Sequence, residues 1–91
     1  MLSVLICDDD INMLDRLKQE TKHILTANCI EAEVTAHCCI DELGNDELIN
    51  CDIALLDIDF ENSKKSGMDI ARAIRAVRED AVIIFVTNYI E

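Results

Sequence analysis

The chain lacks proline and tryptophan, carries two glycines, and has only 3% aromatic residues in 91 positions. Without aromatic platforms there is little for single-stranded nucleic acid to stack on. Basic residues are scarce too: 8 Lys and Arg stand against 19 Asp and Glu, for a formal charge of −11. Duplex nucleic acid and anionic membranes both need a basic face, so direct binding to either is disfavoured. No apolar run approaches the roughly 18–20 residues of a membrane span, and no basic segment precedes the first apolar stretch, as a signal peptide would require. The five cysteines, at 7, 29, 38, 39 and 51, include no C-x-x-C pair. That excludes zinc-ribbon and thioredoxin-type sites and predicts free, buried thiols in a reducing cytosol. Neither glycine opens a G-x-x-x-x-G-K or G-x-G-x-x-G loop, so nucleotide binding is disfavoured as well.

What is present is a one-domain core: 51% of the residues are apolar. Leu2–Cys7, Ile53–Leu56 and Ala81–Val86 are short, nearly continuous and rich in β-branched residues, as strands buried on both faces of a parallel sheet are. Glu31–His37 alternates more and reads as an edge strand. Between them, Leu14, Leu17, Thr21, Ile24 and Leu25 form one stripe of a helix over Ile11–Thr26, with Asp10 as its N-cap. Ile70, Ala71, Ile74 and Val77 form the stripe of a second long helix from Met68 to about Glu79, preceded by the S-x-x-D capping pattern of Ser66 and Asp69. A short helix is predicted over Ile40–Ile49, with Gly44 inside it. Regular alternation of strand and helix implies right-handed crossovers and a doubly wound parallel α/β sheet, in which ligands bind beyond the carboxyl ends of the strands.

Those ends carry acids. The first strand runs into Asp8, Asp9 and Asp10, the third into Asp57 and Asp59, and the fourth into Thr87. Carboxylates gathered at one rim raise one another's pKa unless a cation neutralises them. An oxygen-only donor set at a water-accessible site suits Mg²⁺ better than zinc. A carboxylate beside such an ion is a nucleophile for phosphorus, and a nearby hydroxyl such as Thr87 could bind the phosphoryl oxygens. The bland alternative makes these acids helix caps and solvated loop ends. Asp10 is read as a cap, the side chain of Asp59 as solvated, and His23, His37, Arg72, Arg75 and Arg78 as ordinary surface or boundary residues, the arginines pairing with Glu79 or Asp80.

LSVLICDDD, CDIALLDID and AVIIFVTN, in that order and at that spacing, resemble the receiver domain of two-component response regulators over the whole chain. The resemblance implies a flavodoxin-like, three-layer α/β/α fold, truncated after the fourth strand. The chain would be the N-terminal part of a receiver (1–91), without the last two helices, the fifth strand and that strand's lysine. It further implies Asp57 as phospho-acceptor and metal ligand, Asp9 as a direct Mg²⁺ ligand, Asp8 as a ligand largely through water, and the main-chain carbonyl of Asp59 as the remaining protein ligand. Thr87 would be the switch hydroxyl. A sensor histidine kinase would supply the phosphoryl group to a cytoplasmic switch with no turnover on an outside substrate. DNA would be reached only through a missing effector domain, and FVTNYIE is similar to receivers joined to LytTR-type DNA-binding domains. Two departures stand out. The segment from Ile58 to Gly67 has no proline and is about two residues longer than is usual, a cheap change in loop length. An exposed fourth-strand edge would invite a homodimer or segment-exchanged self-association. Two further readings fit the same residues: a pseudo-receiver that binds partners without being phosphorylated, and a Mg²⁺-dependent phosphatase with Asp57 as nucleophile and Asp59 as general acid.

Overall fold

A computed structural model describes residues 1–39, 41, 43–58 and 66–86. The elements are β1 (Leu2–Cys7), α1 (Ile11–Ala27), β2 (Ala32–His37), α2 (Asn45–Ile49), β3 (Ile53–Asp57), α3 (Gly67–Val77) and β4 (Val82–Val86). All strand pairs are parallel, and the sheet order is β2-β1-β3-β4. The order places β1 between β2 and β3, so the chain reverses its winding direction after β2. This is the doubly wound α/β architecture expected from the alternation of elements.

Period-two alternation splits the sheet into two faces. Leu5, Cys7, Ala54 and Leu56 project to one side and pack with Ile70, Ala71 and Ile74 of α3, with Cys51, Ala81, Leu43, Leu48 and Ile83 completing the cluster. Val4 and Ile6 lie on the opposite face and are also fully buried, which makes β1 a two-sided strand as its continuous apolar sequence predicts.

Elsewhere the predicted core is thinner. The α1 stripe is at best half-buried; the helix buries no residue fully, and Ile24 is exposed. β4 does not have two covered faces: Val82, Ile84 and Phe85 are 52, 46 and 39% exposed. β4 has β3 on one side and no other strand on its outer side among the described residues. Val77, expected on the α3 stripe, is exposed, because the helix ends there and Arg78 caps it in extended conformation. The short helix is half its predicted length, five residues with Gly44 as N-cap; extended backbone at Gly44 (ψ 165°) starts the helix there and does not continue it. Cys7 and Cys51 are buried as expected, whereas Cys29 and Cys38 are exposed, and all five thiols are free.

The amino ends of the strands are tied by an ion-pair hub at Arg78, which pairs with Asp80 as expected but is half-buried against Asp52 and not a solvated residue. Its Nη2 lies 2.9 Å from Asp52 Oδ1, and its Nε donates to Asp80 Oδ1 at 3.1 Å. Asp52 Oδ2 in turn accepts the Ser3 N–H at 2.7 Å. The side chain thus joins the end of α3 to the start of β3 and, through Asp52, to β1. The Ser3 N–H and then the Arg78 guanidinium hold the Asp52 carboxyl below its usual range, and Arg78 does the same to Asp80. Depressed carboxyl pKa values contribute stability above the unfolded pKa near 4 and lose it as the pH falls through the folded values. Arg78→Ala is therefore expected to lower the urea midpoint at pH 7. The gap from the unsubstituted protein should narrow below about pH 4, which parallel urea titrations at pH 7, 5 and 3 would measure. A gap that stays constant with pH would assign the loss to packing of the Arg78 stem.

Candidate functional site

β1 and β3 are adjacent and parallel, with Cys7 level with Leu56. The next residue on each strand is an aspartate, so the register alone sets Asp8 beside Asp57. The chain then turns from β1 into α1 through Asp9 and Asp10. Asp10 caps the helix, its Oδ1 accepting the amides of Asn12 and Met13 at 3.0 and 3.3 Å. It serves the helix, as its position predicts, and lies outside the acid cluster.

Asp8, Asp9 and Asp57 each place a carboxylate oxygen within 4.8 Å of the other two. Asp8 is 1% exposed and Asp57 7%, while Asp9 is half-buried. Asp8 Oδ1 accepts the Asp10 N–H at 2.9 Å, but the buried Asp8 Oδ2 has no hydrogen-bond partner. Burial pushes the Asp8 carboxyl above its ordinary range and the charges of Asp9 and Asp10 add to the rise, against the lowering effects of the Asp10 amide and of side-chain hydrogen bonding with Asp57.

A buried, partnerless carboxylate oxygen costs about 1–3 kcal/mol or more when charged, which a cation would offset. Ligand oxygens on opposite sides of a cation lie about 4.2 Å apart for Mg²⁺ and about 4.8 Å for Ca²⁺. The three carboxylates therefore fit one hard divalent ion. The chemistry of the neighbours agrees. Burial drives the thiol of Cys7 up to about 12, so it offers no thiolate at neutral pH, and no histidine joins the cluster. His37 instead sets its Nε2 3.1 Å from Glu47 Oε1.

Of the sequence-predicted site residues, the structure brings together Asp8, Asp9 and Asp57. Asp59 and Thr87 lie outside the described residues. Sequence reasoning missed the contact between the start of α3 and the main chain just after Asp57: the Gly67 N–H donates to Ile58 O at 3.0 Å.

No family model and no curated protein matches the sequence. Among solved structures, the chain matches a CheY-like response regulator receiver domain protein from Methanospirillum hungatei JF-1 at 29% identity and a TM-score of 0.66. That match covers all of this chain and 67% of the other. It also matches a response regulator receiver domain protein from Clostridium thermocellum at 23% identity and a TM-score of 0.66, over 96% of this chain and 65% of the other. A third similar fold, at 18% identity and a TM-score of 0.60, is a response regulator protein from Burkholderia pseudomallei with a phosphorylated aspartic acid, calcium ion and citrate. The chain spans about two thirds of the first two proteins and 49% of the third. With four parallel strands in the order β2-β1-β3-β4 and this likeness along its whole length, the chain has the fold of response regulator receiver (CheY-like) domains.

Proposed function

We propose that the domain is a phospho-accepting switch in which Asp57 takes a phosphoryl group from the phosphohistidine of a sensor kinase. The observation that carries this reading is the buried, partnerless Oδ2 of Asp8 within a three-carboxylate cluster that includes Asp57. Asp8, Asp9 and Asp57 would hold Mg²⁺, with the main-chain carbonyl of Asp59 as a further ligand. The ion supplies charge neutralisation at the phosphoryl oxygens. In the transfer, a carboxylate oxygen of Asp57 forms a bond to phosphorus as the bond from phosphorus to the donor's imidazole nitrogen breaks, and the imidazole leaves with the electron pair and takes up a proton. Thr87 would bind a phosphoryl oxygen, a contact made only in the phosphorylated state, which biases a two-state equilibrium toward that state. The output would pass to an effector, DNA-binding in a transcriptional regulator, and the protein would work in the cytoplasm. No described helix is long and apolar enough to cross a membrane.

A second reading rests on β4. Val82, Ile84 and Phe85 are exposed on an edge strand, and such edges pair with other chains. This supports a protein-interaction module, self-associating as a homodimer or by segment exchange, with or without phosphorylation. Incubation with acetyl phosphate and Mg²⁺, read by intact mass, separates the two. Gain of one phosphoryl group, abolished by EDTA, is the expected result. No gain at any Mg²⁺ concentration would leave the interaction module, and sustained release of phosphate would point to a phosphatase.

A further inference from the structure

Gly67 opens α3 and is buried against the end of β3. A Cβ at this position would overlap the carbonyl oxygen of Asp57 and fall 2.8 Å from its carbonyl carbon and 3.1 Å from Ile58 Cα. These neighbours are backbone, so no rotamer change relieves the overlap. The Gly67 N–H donates to Ile58 O at 3.0 Å on the same side. Its φ is not positive, so conformational freedom does not explain the glycine; the space does. One residue earlier, the Ser66–Asp69 cap fixes the start of the helix, with the Ser66 N–H donating to Asp69 Oδ2 at 2.8 Å.

Resting on the phospho-acceptor reading above, we infer that Gly67 is a positioning residue for Asp57: the first turn of α3 is docked on the Asp57–Ile58 main chain and sets where the acceptor carboxylate stands. Ile58, just after β3, and Gly67, at the start of α3, are fastened directly to each other. The main chain that carries the acceptor is therefore held by the α3 docking. The same contact runs in the other direction. A cation or phosphoryl group that orders Asp57 also orders the start of α3, since coupling between two sites is reciprocal.

The test compares Gly67→Ala with Gly44→Ala, whose added Cβ meets nothing within 4 Å. Both are assayed at a temperature where circular dichroism shows them folded, for Mg²⁺ affinity by calorimetry and for phosphoryl uptake from acetyl phosphate. Gly67→Ala is expected to slow uptake by at least about tenfold, because a misplacement near 1 Å costs on the order of a hundredfold in an oriented reaction. It should also weaken Mg²⁺ several-fold, while Gly44→Ala changes neither. Equal uptake and equal Mg²⁺ affinity per folded molecule would overturn the inference and leave the functional reading intact. No uptake by the unsubstituted protein would overturn the functional reading itself. Should Gly67→Ala not fold, amide exchange on the unsubstituted protein decides. Protection of the Gly67 amide should rise with saturating Mg²⁺ while that of the Gly44 amide stays unchanged; an unaltered Gly67 amide would sink the inference.

Discussion

Asp57→Asn is expected to abolish phosphoryl uptake from acetyl phosphate, with the intact mass unchanged after any incubation time. The carboxylate is the nucleophile in the proposed transfer. The amide that replaces it has its nitrogen lone pair delocalised into the carbonyl and no negative charge to bring to phosphorus. The substitution also removes one of three charged donors from the cation site. Loss of a ligand should weaken the ion by at least as much as loss of a supporting partner, about 10–100-fold. The chain offers rival acceptors, which gives the experiment its force. Asp8 and Asp9 sit in the same cluster, and His23 is exposed on α1. A mass gain that survives in Asp57→Asn would place the acceptor at one of these. Peptide mapping would distinguish them, since an acyl phosphate is lost in mild base and a phosphoramidate in acid. A gain lost in Asp57→Asn and retained in His23→Gln is the outcome the site geometry requires.

The strands and their ends could be read from the sequence because each is a local signal. Short apolar runs marked β1, β3 and β4, and an aspartate directly followed two of them, so the alternation rule put Asp8 and Asp57 on one edge. The caps at Asp10 and Ser66 were legible for the same reason: each bonds within three residues. Burial and long-range pairing were not legible. The α1 stripe has helical spacing, yet spacing says nothing of how much partner surface meets it, and Ile24 stays 60% exposed. β4 is at least as apolar as β1, but only a strand flanked on both sides and covered on both faces can be fully buried. Arg78 looked like one of three helix-face arginines. It differs because α3 ends at Val77 and the extended Arg78 turns its side chain to Asp52, 26 residues away in sequence. Gly67 held the one signal that could have been used. A glycine at the first turn of a well-capped helix, where a left-handed conformation is not needed, indicates a close approach of main chains.

Asp8→Asn is expected to stabilise the metal-free protein and to cancel the stabilisation that Mg²⁺ gives. Above its raised folded pKa and without a divalent ion, the Asp8 carboxylate carries its charge 1% exposed to solvent, beside Asp9 and Asp57, with one oxygen unpartnered. An asparagine keeps the acceptor for the Asp10 N–H, now 2.9 Å from Asp8 Oδ1. Its amide group then faces the remaining carboxylates as a donor. Exchanging an unsatisfied buried charge for a neutral group of the same shape should gain about 1–3 kcal/mol, measured by urea unfolding in EDTA at pH 7. The dependence on pH follows from the raised carboxyl of Asp8. A carboxyl whose folded pKa lies above its unfolded value binds its proton more tightly in the folded state. The stability it contributes is complete below pH about 3.9 and is lost as the pH rises through the folded pKa. The advantage of Asp8→Asn should therefore be smallest near pH 4 and largest at neutral pH, opposite in direction to the acid-side loss at the Arg78 hub. Saturating Mg²⁺ reverses the comparison, since a ligand at 100 times its Kd adds about 2.7 kcal/mol to the protein that binds it. The unsubstituted domain should gain that amount and the variant far less. A variant less stable than its parent in EDTA would mean that the Asp8 charge is already compensated by the protein, and the cluster would not need a cation.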